Sequence, residues 1–466
     1  MRNTTNRERA VANFTRKVGI LAAAAAFIGI GSAAQAEDLL YDWQAVSAPT
    51  TPVAGYVPSP FVGAGNSAAS AIPVLTASQG SYPGKVGLKI LSPLSAGDTA
   101  TLFNHPNFTV NYAFLDFEAG RIAGGPSTNP DSAAALAQAT AIHAQPKGAA
   151  TFVGNFRMYP GQGDTSSIGT NPSIADYLAS GMNMANEDLY PGNGSYKNPA
   201  QLPGGTSSSP NIRSTLFVLP INRATYVTAN LPAGNKHIPY IDRFNNFGNT
   251  GLQNGTSNGQ GAFFADAAHG TAGQLLSRGD LSAMVAHYRL RGVDGVHLLD
   301  GGVVGYTQAQ FEQDAKDGFT LPAIANIFAG GGARIATLDT VSRVDGVVKT
   351  NESSGLVYSG VYSLTQAGGL GKLALLVSNM DDIGHPVDFP QKIGGKSIAG
   401  SVSLLAGQHK LLDFTGAGTQ WLLQNPGGTP VFTDNLRDGV GVPEPVVMGG
   451  ASIFALTMLF RRRRAR

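Results

Sequence analysis

The chain has 466 residues, of which 13% are charged, 60 are glycine and none is cysteine. Without cysteine, disulfide bonds are excluded, so stability has to come from a buried core. The length is enough for one large domain and a smaller one. Few charges and abundant glycine favour strands joined by turns over a helical bundle.

The N-terminus has the layout of a secretory signal peptide. A basic region (residues 2–17) precedes an apolar stretch at 18–30, and Ala34 and Ala36 are small residues suited to cleavage before Glu37. The 13-residue apolar stretch is too short for a permanent transmembrane helix. We therefore expect export, with removal of this segment.

The C-terminus combines three features in a fixed order. A tetrapeptide comes first, formed by Val442, Pro443, Glu444 and Pro445. An apolar run of 15 residues (446–460) follows it. Arginines end the segment, namely Arg461, Arg462, Arg463 and Arg464 with Arg466. A stable transmembrane span needs roughly 20 residues, so the run is typical of a transient anchor. The cationic end is expected to stay in the cytoplasm.

This order of features resembles the PEP-CTERM sorting signal of bacterial envelope proteins. The resemblance covers 442–466 alone. It implies an exosortase and the secretion machinery as partners, a transient membrane anchor, and a final location in the cell envelope or extracellular matrix. The alternative is an ordinary single-pass tail anchor.

The charge of the chain changes once the two ends are set aside. The first 36 residues hold five basic residues and one acidic residue, and 461–466 adds five basic residues. The remainder carries 22 basic against 29 acidic residues, a net charge of −7. An acidic body argues against nucleic acid as a partner.

The first half of the body is expected to contain strands and helices in alternation. Residues 41–46 and 86–91 are predicted strands, with a loop from 47 to 81 between them. A stronger pattern follows, comprising a strand at 108–118, an alanine-rich helix at 132–145 and a strand at 151–159. Strand, helix and strand at this spacing predict a βαβ unit with two parallel strands.

The alternation continues to about residue 337. Helices are predicted at 173–180, 273–291 and 308–317, and strands at 214–219, 237–244 and 293–299, with a strand end or loop at 183–190. The glycine- and asparagine-rich stretch at 245–261 is longer than most connections between elements.

Beyond residue 338 the pattern changes to strands separated by glycine-rich turns. The predicted strands are 356–362, 372–378, 401–405 and 420–423. With no helix between them, they indicate an antiparallel sandwich.

Together these segments predict an α/β fold, namely a (β/α)8-barrel-like domain at 37–337 followed by a small all-β sandwich at 338–424 and a linker at 425–441. The arrangement resembles extracellular glycoside hydrolases that carry a C-terminal β-module. This resemblance is architectural and includes no diagnostic motif. It implies that catalytic groups lie where the loops converge, at the carboxyl ends of the barrel strands.

Two carboxyl groups are the candidates for glycosidic cleavage. Such chemistry needs one protonated carboxyl group as acid and one ionised group as nucleophile or base. Glu187, in the pair Asn186-Glu187 at a predicted strand end, is the expected acid, and Asp300 after the strand at 293–299 is the expected partner. The alternatives are a loop carboxylate before Pro191 and a simple Asp-Gly-Gly turn.

Further residues are candidates for substrate binding. Asp116 and Glu118 share one face of a strand and are expected either to bind sugar hydroxyls or to meet a basic partner. Asp242 lies next to Arg243, its expected ion-pair partner or a loop clamp. Tyr190 and other aromatics, including Tyr240, are either platforms for sugar rings or core residues.

The sequence predicts no metal site and no cofactor. The eight histidines lack metal-binding spacing. The leading hypothesis is an exported, surface-sorted protein whose glycoside-hydrolase-like body acts on polysaccharide. The alternative is a non-catalytic structural or glycan-binding envelope protein.

Overall fold

A computed structural model describes 38–43, 57–62, 68–81, 85–116, 130–155, 182–186, helical residues between 217 and 229, 231–241, 277–298, 308–329, 333–334, 342–344, 347–349, 356–364, 370–380, 385–386, 392–405 and 407–432. The predicted signal peptide, the PEP-CTERM segment, the helix at 173–180 and the loop at 245–261 lie outside these residues.

Nine described strands form the first half of the fold. They are β1 (Asp38–Trp43), β2 (Val57–Val62), β3 (Gly87–Ile90), β4 (Tyr112–Leu115), β5 (Phe152–Asn155), β6 (Met184–Ala185), β7 (Lys236–His237), β8 (Tyr240–Ile241) and β9 (Gly295–Leu298). Seven of them make one sheet in the order β5-β4-β3-β2-β1-β9-β8, and every neighbouring pair in it is parallel.

Helices connect these strands and continue beyond β9. They are α1 (Ala68–Ser81), α2 (Ala96–Phe103), α3 (Pro130–His143), α4 (Arg278–Leu290), α5 (Gln308–Phe319) and α6 (Pro322–Ala329), with a 3-10 turn at Gly148–Ala150. Ser95 caps α2 by accepting a hydrogen bond from the Asp98 amide at 3.0 Å. The predicted βαβ unit is confirmed, because β4 and β5 are parallel and α3 lies between them.

Two local predictions are wrong. The expected loop at 47–81 contains β2 and α1. Their Pro- and Ala-rich sequences lack a clear strand or helix pattern, but side chains such as Val62 and Leu75 are buried in the core. In the expected strand at 214–219, Phe217 is helical. The buried residues Phe217, Ile221 and Ala224 recur at the spacing of one helix face, which decides the local structure.

The first sheet is strongly curved. Lys89 of β3 contacts Tyr240 of β8, and Phe114 of β4 contacts His297 of β9. Each pair joins strands four positions apart in the sheet, which in a flat sheet would be about 19 Å apart. The two contacts therefore lie on the concave side of the sheet.

Backbone contacts also lead from one end of this sheet to the other. The Asn183 amide donates to the Val153 carbonyl oxygen of β5 at 3.2 Å, which brings β6 beside β5. β6 pairs in parallel with β7, and the Ile238 amide donates to the Ala185 carbonyl oxygen at 2.9 Å. The chain then enters β8, the opposite end of the sheet.

Two apolar cores lie on the two sides of these strands. The inner core contains Leu40, Val57, Tyr112, Phe114, Met184 and Ile238, with Phe152 against it. The outer core packs α1, α2 and α3 on the strands and includes Leu75, Leu88, Phe103, Leu115, Ile142 and Val153. Alternate strand residues thus contribute to opposite sides, as the twofold period requires.

The second half of the fold consists of strands. They are β10 (Ala333–Arg334), β11 (Ser342–Val344), β12 (Val347–Lys349), β13 (Leu356–Ser363), β14 (Lys372–Asn379), β15 (His385–Pro386), β16 (Ser397–Ala399), β17 (Ser403–Leu404), β18 (His409–Ala417), β19 (Gln420–Leu423) and β20 (Thr429–Pro430). The main sheet has the order β10-β13-β14-β18-β19-β16, with β20 beside β18. Its pairs are antiparallel except β16 with β19.

This second sheet buries both of its faces. One face carries Tyr358, Leu375, Phe414 and Trp421, covered by residues of neighbouring loops such as Ile393. The other face, with Val361, Ala374 and Leu376, packs on Ala286 and Leu290 of α4 and on Ile324 and Ile327 of α6. Helices of the first half therefore form part of the core of the second.

Within the part of the chain that the structure describes, every helix is too short or too polar to cross a membrane.

Candidate functional site

Lys89, Asp116, Tyr240 and His297 form a polar cluster on the concave side of the first sheet. The Lys89 ammonium lies 3.0 Å from the Asp116 carboxylate and donates to the Tyr240 hydroxyl, also at 3.0 Å. The Lys89 and Asp116 side chains are only 11% and 12% exposed. A buried lysine needs such a counter-charge, because an uncompensated buried charge is strongly destabilising.

His297 completes the polar cluster between two aromatic rings. Its ring centroid is 4.0 Å from that of Phe114 and 4.4 Å from that of Tyr240. Burial lowers the pKa of the His297 imidazole well below its usual range, and the nearby Lys89 ammonium lowers it further. His297 is therefore neutral at physiological pH, with one nitrogen as donor and the other as acceptor.

Three buried side chains on these strands have polar atoms without a hydrogen-bond partner. They are both ring nitrogens of His297, the Ser59 hydroxyl of β2 and the Asn186 side-chain oxygen after β6. The Asn186 amide nitrogen does donate, to the Ile238 carbonyl oxygen. Each unsatisfied buried group costs about 1–3 kcal/mol, so unsatisfied groups are rare unless they have a functional role.

The order of the strands explains why these groups meet. All neighbouring strands in the first sheet are parallel, so their carboxyl ends share one edge. Lys89 is the third residue of the four-residue strand β3, Asp116 follows β4 directly, and Asn186 follows β6. Open parallel sheets and barrels place their ligand sites at this edge.

The structure describes two of the candidate residues predicted from the sequence, Asp116 and Tyr240. Asp116 has a basic partner, Lys89, which is one of the two alternatives expected for it. Tyr240, expected as either platform or core, is 3% exposed and belongs to the polar cluster. The remaining predicted site residues lie outside the described part of the chain, namely Glu118, Glu187, Tyr190, Asp242, Arg243 and Asp300.

Lys89 and His297 are members of the site that sequence reasoning missed. Each is the only ionisable residue in a short apolar strand, GLKI for β3 and GVHL for β9. In a sheet covered by helices on its outer side, such a residue has to point inward. A single ionisable side chain in a buried strand is therefore the signal that could have identified them.

A second buried polar network joins α4 to the second sheet. His409 lies between Asp280, at 2.8 Å from its Nε2, and Ser378, at 2.8 Å from its Nδ1. The His287 imidazole lies 2.9 Å from the same Ser378 hydroxyl and 2.8 Å from Ser359. Burial lowers the pKa of His287 well below its usual range, with a smaller contribution from Arg291.

This Asp–His–Ser order has the hydrogen bonds of a hydrolase triad but not its surroundings. Ser378 and Asp280 are fully buried, and Ser378 is already bonded to two histidines. A nucleophilic serine has to face a substrate. The network is therefore structural, and Arg291 extends it by donating to Ser359, to Thr225 and to the Tyr358 carbonyl oxygen.

The described residues contain no group of three or more His, Asp or Glu side chains that could hold a metal ion.

Comparison with known proteins gives only distant similarities. No family model and no curated protein matches the sequence. A glucosidase from Croceicoccus marinus is similar at 14% identity over 80% of this chain and 75% of that chain, with a TM-score of 0.30. A candidate alpha-galactosidase from Bacteroides fragilis NCTC 9343 is similar at 11% identity over 70% and 75%, with a TM-score of 0.20. Both of these distant structural neighbours are glycosidases.

Proposed function

We propose that the protein is exported and sorted to the cell surface, and that it acts on polysaccharide at the carboxyl ends of a (β/α)8 barrel. The observation that carries the proposed action on polysaccharide is the polar cluster of Lys89, Asp116, Tyr240 and His297 on the concave side of a parallel sheet. A buried site that combines aromatic rings with a few hydrogen-bond donors and acceptors suits a sugar.

The barrel is supported by the number and order of the strands. If β7 and β8 are taken as one strand at 236–241, eight parallel strands are connected by pairing or by backbone hydrogen bonds in a path that returns to β1. In a ring of eight, strands four positions apart face each other across the interior. The contacts of Lys89 with Tyr240 and of Phe114 with His297 have this relation.

The proposed chemistry uses two carboxyl groups that follow strands. Glu187 comes next after Asn186, at the end of β6, and Asp300 is two residues beyond β9. We assign Glu187 as the acid and Asp300 as nucleophile or base. Asp116 does not suit the role of the acid, because its ion pair with Lys89 favours the ionised form of the carboxylate. Asp116, Tyr240 and the neighbouring Asp242 and Arg243 would instead position the substrate.

Hydrolysis of a polysaccharide panel by the purified protein tests this assignment. We expect Glu187→Gln and Asp300→Asn to lower kcat by about 100-fold or more, because each removes a proton-transfer or nucleophilic group. Asp317→Asn is the matched control, since Asp317 is an exposed carboxylate on α5 that accepts from Gln313. Unchanged hydrolysis in Glu187→Gln would exclude Glu187 as the acid.

A second candidate function is glycan binding without turnover. It is favoured by one specific observation, that the described carboxylate in the polar cluster is neutralised by Lys89. In that case the protein would bind glycans in calorimetry, whereas none of them would be cleaved. Turnover of any glycan by the wild type, lost in Glu187→Gln, would eliminate this alternative.

Export and sorting rest on the two terminal segments of the sequence. Mass spectrometry of protein recovered from the producing cells should find an N-terminus at Glu37 and a C-terminus near Pro445. An intact 466-residue chain in the cytosol would contradict both predictions.

A further inference from the structure

We propose that His297 is a ligand-binding residue whose imidazole donates one hydrogen bond to, and accepts one from, hydroxyl groups of an uncharged sugar or polyol held inside the first sheet. This inference rests on the proposed function, which it deepens by naming a recognition residue and the charge class of the ligand.

The His297 side chain is in an unusual state. It is fully buried, yet neither ring nitrogen has a hydrogen-bond partner. The other buried histidines among the described residues differ, since His237 is 2.7 Å from the Thr228 hydroxyl, and His287 and His409 each have two polar partners. His297 is therefore built into the core without the contacts that a structural histidine normally has.

Two other groups share this state, and they lie on the inner side of these strands because each is two residues after an inner-core residue, Val57 or Met184. The Ser59 hydroxyl and the Asn186 side-chain oxygen are buried and have no partner either. Asn186 and His297 flank the 238–241 segment from opposite sides, because the Asn186 amide group bonds the Ile238 carbonyl oxygen and the His297 amide bonds the Pro239 carbonyl oxygen. Unsatisfied polar groups thus occur on both sides of Tyr240.

The charge of the polar cluster restricts the charge of the ligand. Lys89 and Asp116 neutralise each other at 3.0 Å, so the polar cluster offers no net charge to a ligand. The unsatisfied atoms of Ser59, Asn186 and His297 belong to a hydroxyl, an amide and an imidazole, and these three groups are uncharged. An anion or a cation would be desolvated here without compensation, whereas hydroxyl groups can both donate and accept.

The aromatic neighbours agree with such a ligand. The rings of Phe114 and Tyr240 lie at 4.0 and 4.4 Å from the His297 ring and restrict its rotation. A fixed ring presents its two nitrogens in set directions. A ligand would therefore be selected by the orientation of its hydroxyl groups, so epimeric sugars should differ in affinity.

The test measures thermal stability of the full chain with and without about 100 mM D-glucose, D-galactose, D-mannose or D-glucuronate. We expect at least one neutral sugar to raise the Tm of the wild type, with different shifts for the epimers and none for glucuronate. His297→Leu should reduce affinity for that sugar by about tenfold or more. Without sugar it should be no less stable than the wild type, because it removes two unsatisfied nitrogens.

Two further variants separate recognition from structure. His237→Phe removes a buried histidine that has its hydrogen bond, so it should lower the Tm without sugar but keep the sugar-induced shift. His297→Gln retains a donor and an acceptor and should recover part of the shift, even if leucine is poorly accommodated.

Each possible result of these stability measurements either supports or overturns the role of His297 in sugar binding. Equal shifts in the wild type, His297→Leu and His297→Gln would overturn the role of His297 while leaving carbohydrate binding intact. A strong loss of stability in both His297 variants without sugar would assign it a structural role instead. If no sugar shifts the wild type, water rather than sugar satisfies these groups, and both this inference and sugar binding at this site fail.

Discussion

Lys89 shows how one residue constrains the chemistry around it. It lies on β3 with a carboxylate on one side and a phenol on the other, each at 3.0 Å, and its ammonium is 5.1 Å from the centre of the Tyr240 ring. Removing one member of a buried ion pair destabilises a protein more than removing both members. The charge that remains is left in surroundings that solvate it poorly.

Asp116→Asn is therefore expected to lower the free energy of unfolding by about 3–5 kcal/mol. The double variant Lys89→Met/Asp116→Leu should lose less, since neither member of the pair remains. Urea denaturation followed by fluorescence measures both values. An Asp116→Asn protein within about 0.5 kcal/mol of the wild type would show that the ion pair is well solvated.

At the scale of the element, α4 links the two halves of the fold. Its N-terminus is a capping box in which the Ser277 hydroxyl accepts from the Asp280 amide at 3.1 Å, and the Asp280 carboxylate accepts from the Ser277 amide at 2.6 Å. The same carboxylate lies 2.8 Å from His409 of β18. One side chain thus both begins a helix and binds that helix to the second sheet.

Ser277→Ala and Asp280→Ala should consequently lower the free energy of unfolding by different amounts. The serine variant loses a cap and should be destabilised by about 1 kcal/mol. The aspartate variant also removes the buried carboxylate partner of His409, leaving only Ser378, and should lower the free energy of unfolding by about 3 kcal/mol. Thermal unfolding of the two proteins compares these costs, and equal values would mean that the contact with His409 contributes nothing.

Elements with a clear period were predictable from the sequence. α4 and α5 have helical spacing, and β13 and β14 are long apolar strands bounded by glycine, so their positions agree with expectation to within a few residues. β2 contains two prolines and α1 contains Pro73, so neither has the composition of its element. Their structure is decided by packing on neighbouring strands, which local propensity does not report.

The candidate site was predictable only in part for a related reason. Asp116 could be found because a carboxylate at a strand end is a local feature. Lys89, the partner of Asp116, also contacts Tyr240, which lies 151 residues later in the sequence. The contact between Lys89 and Tyr240 exists only once the sheet is curved. A sequence pattern reports on residues that are close in the chain. The polar cluster instead depends on which strands face each other in the folded protein.

At the scale of the whole molecule, buried histidines link stability to pH. His287 at the junction with the second sheet and His297 in the first sheet both have pKa values lowered well below the usual range, in each case chiefly by burial. In the unfolded chain both take up a proton below about pH 6.5, whereas the folded protein resists it to lower pH. Acid therefore favours the unfolded state.

The free energy of unfolding should fall as pH decreases from about 6.5, by up to about 1.4 kcal/mol per pH unit for each histidine. Urea denaturation between pH 7.5 and 5 measures the slope. His297→Leu should give a shallower slope than the wild type, since one of the two groups is gone while the other titrating groups are retained. Parallel slopes would show that His297 is protonated equally in both states.

The packing of α4 and α6 against the second sheet limits how this protein can be recombined with others. The two helices precede the sheet in sequence, yet Leu290, Ile324 and Ile327 belong to its core. A chimaera joined just before β13 would leave one face of the sheet without the helices that cover it. It would also expose the apolar side chains of α4 and α6 on the half of the protein that loses the sheet. A transplantable unit would have to start at Ser277 or earlier and keep its two helices together with the strands they support.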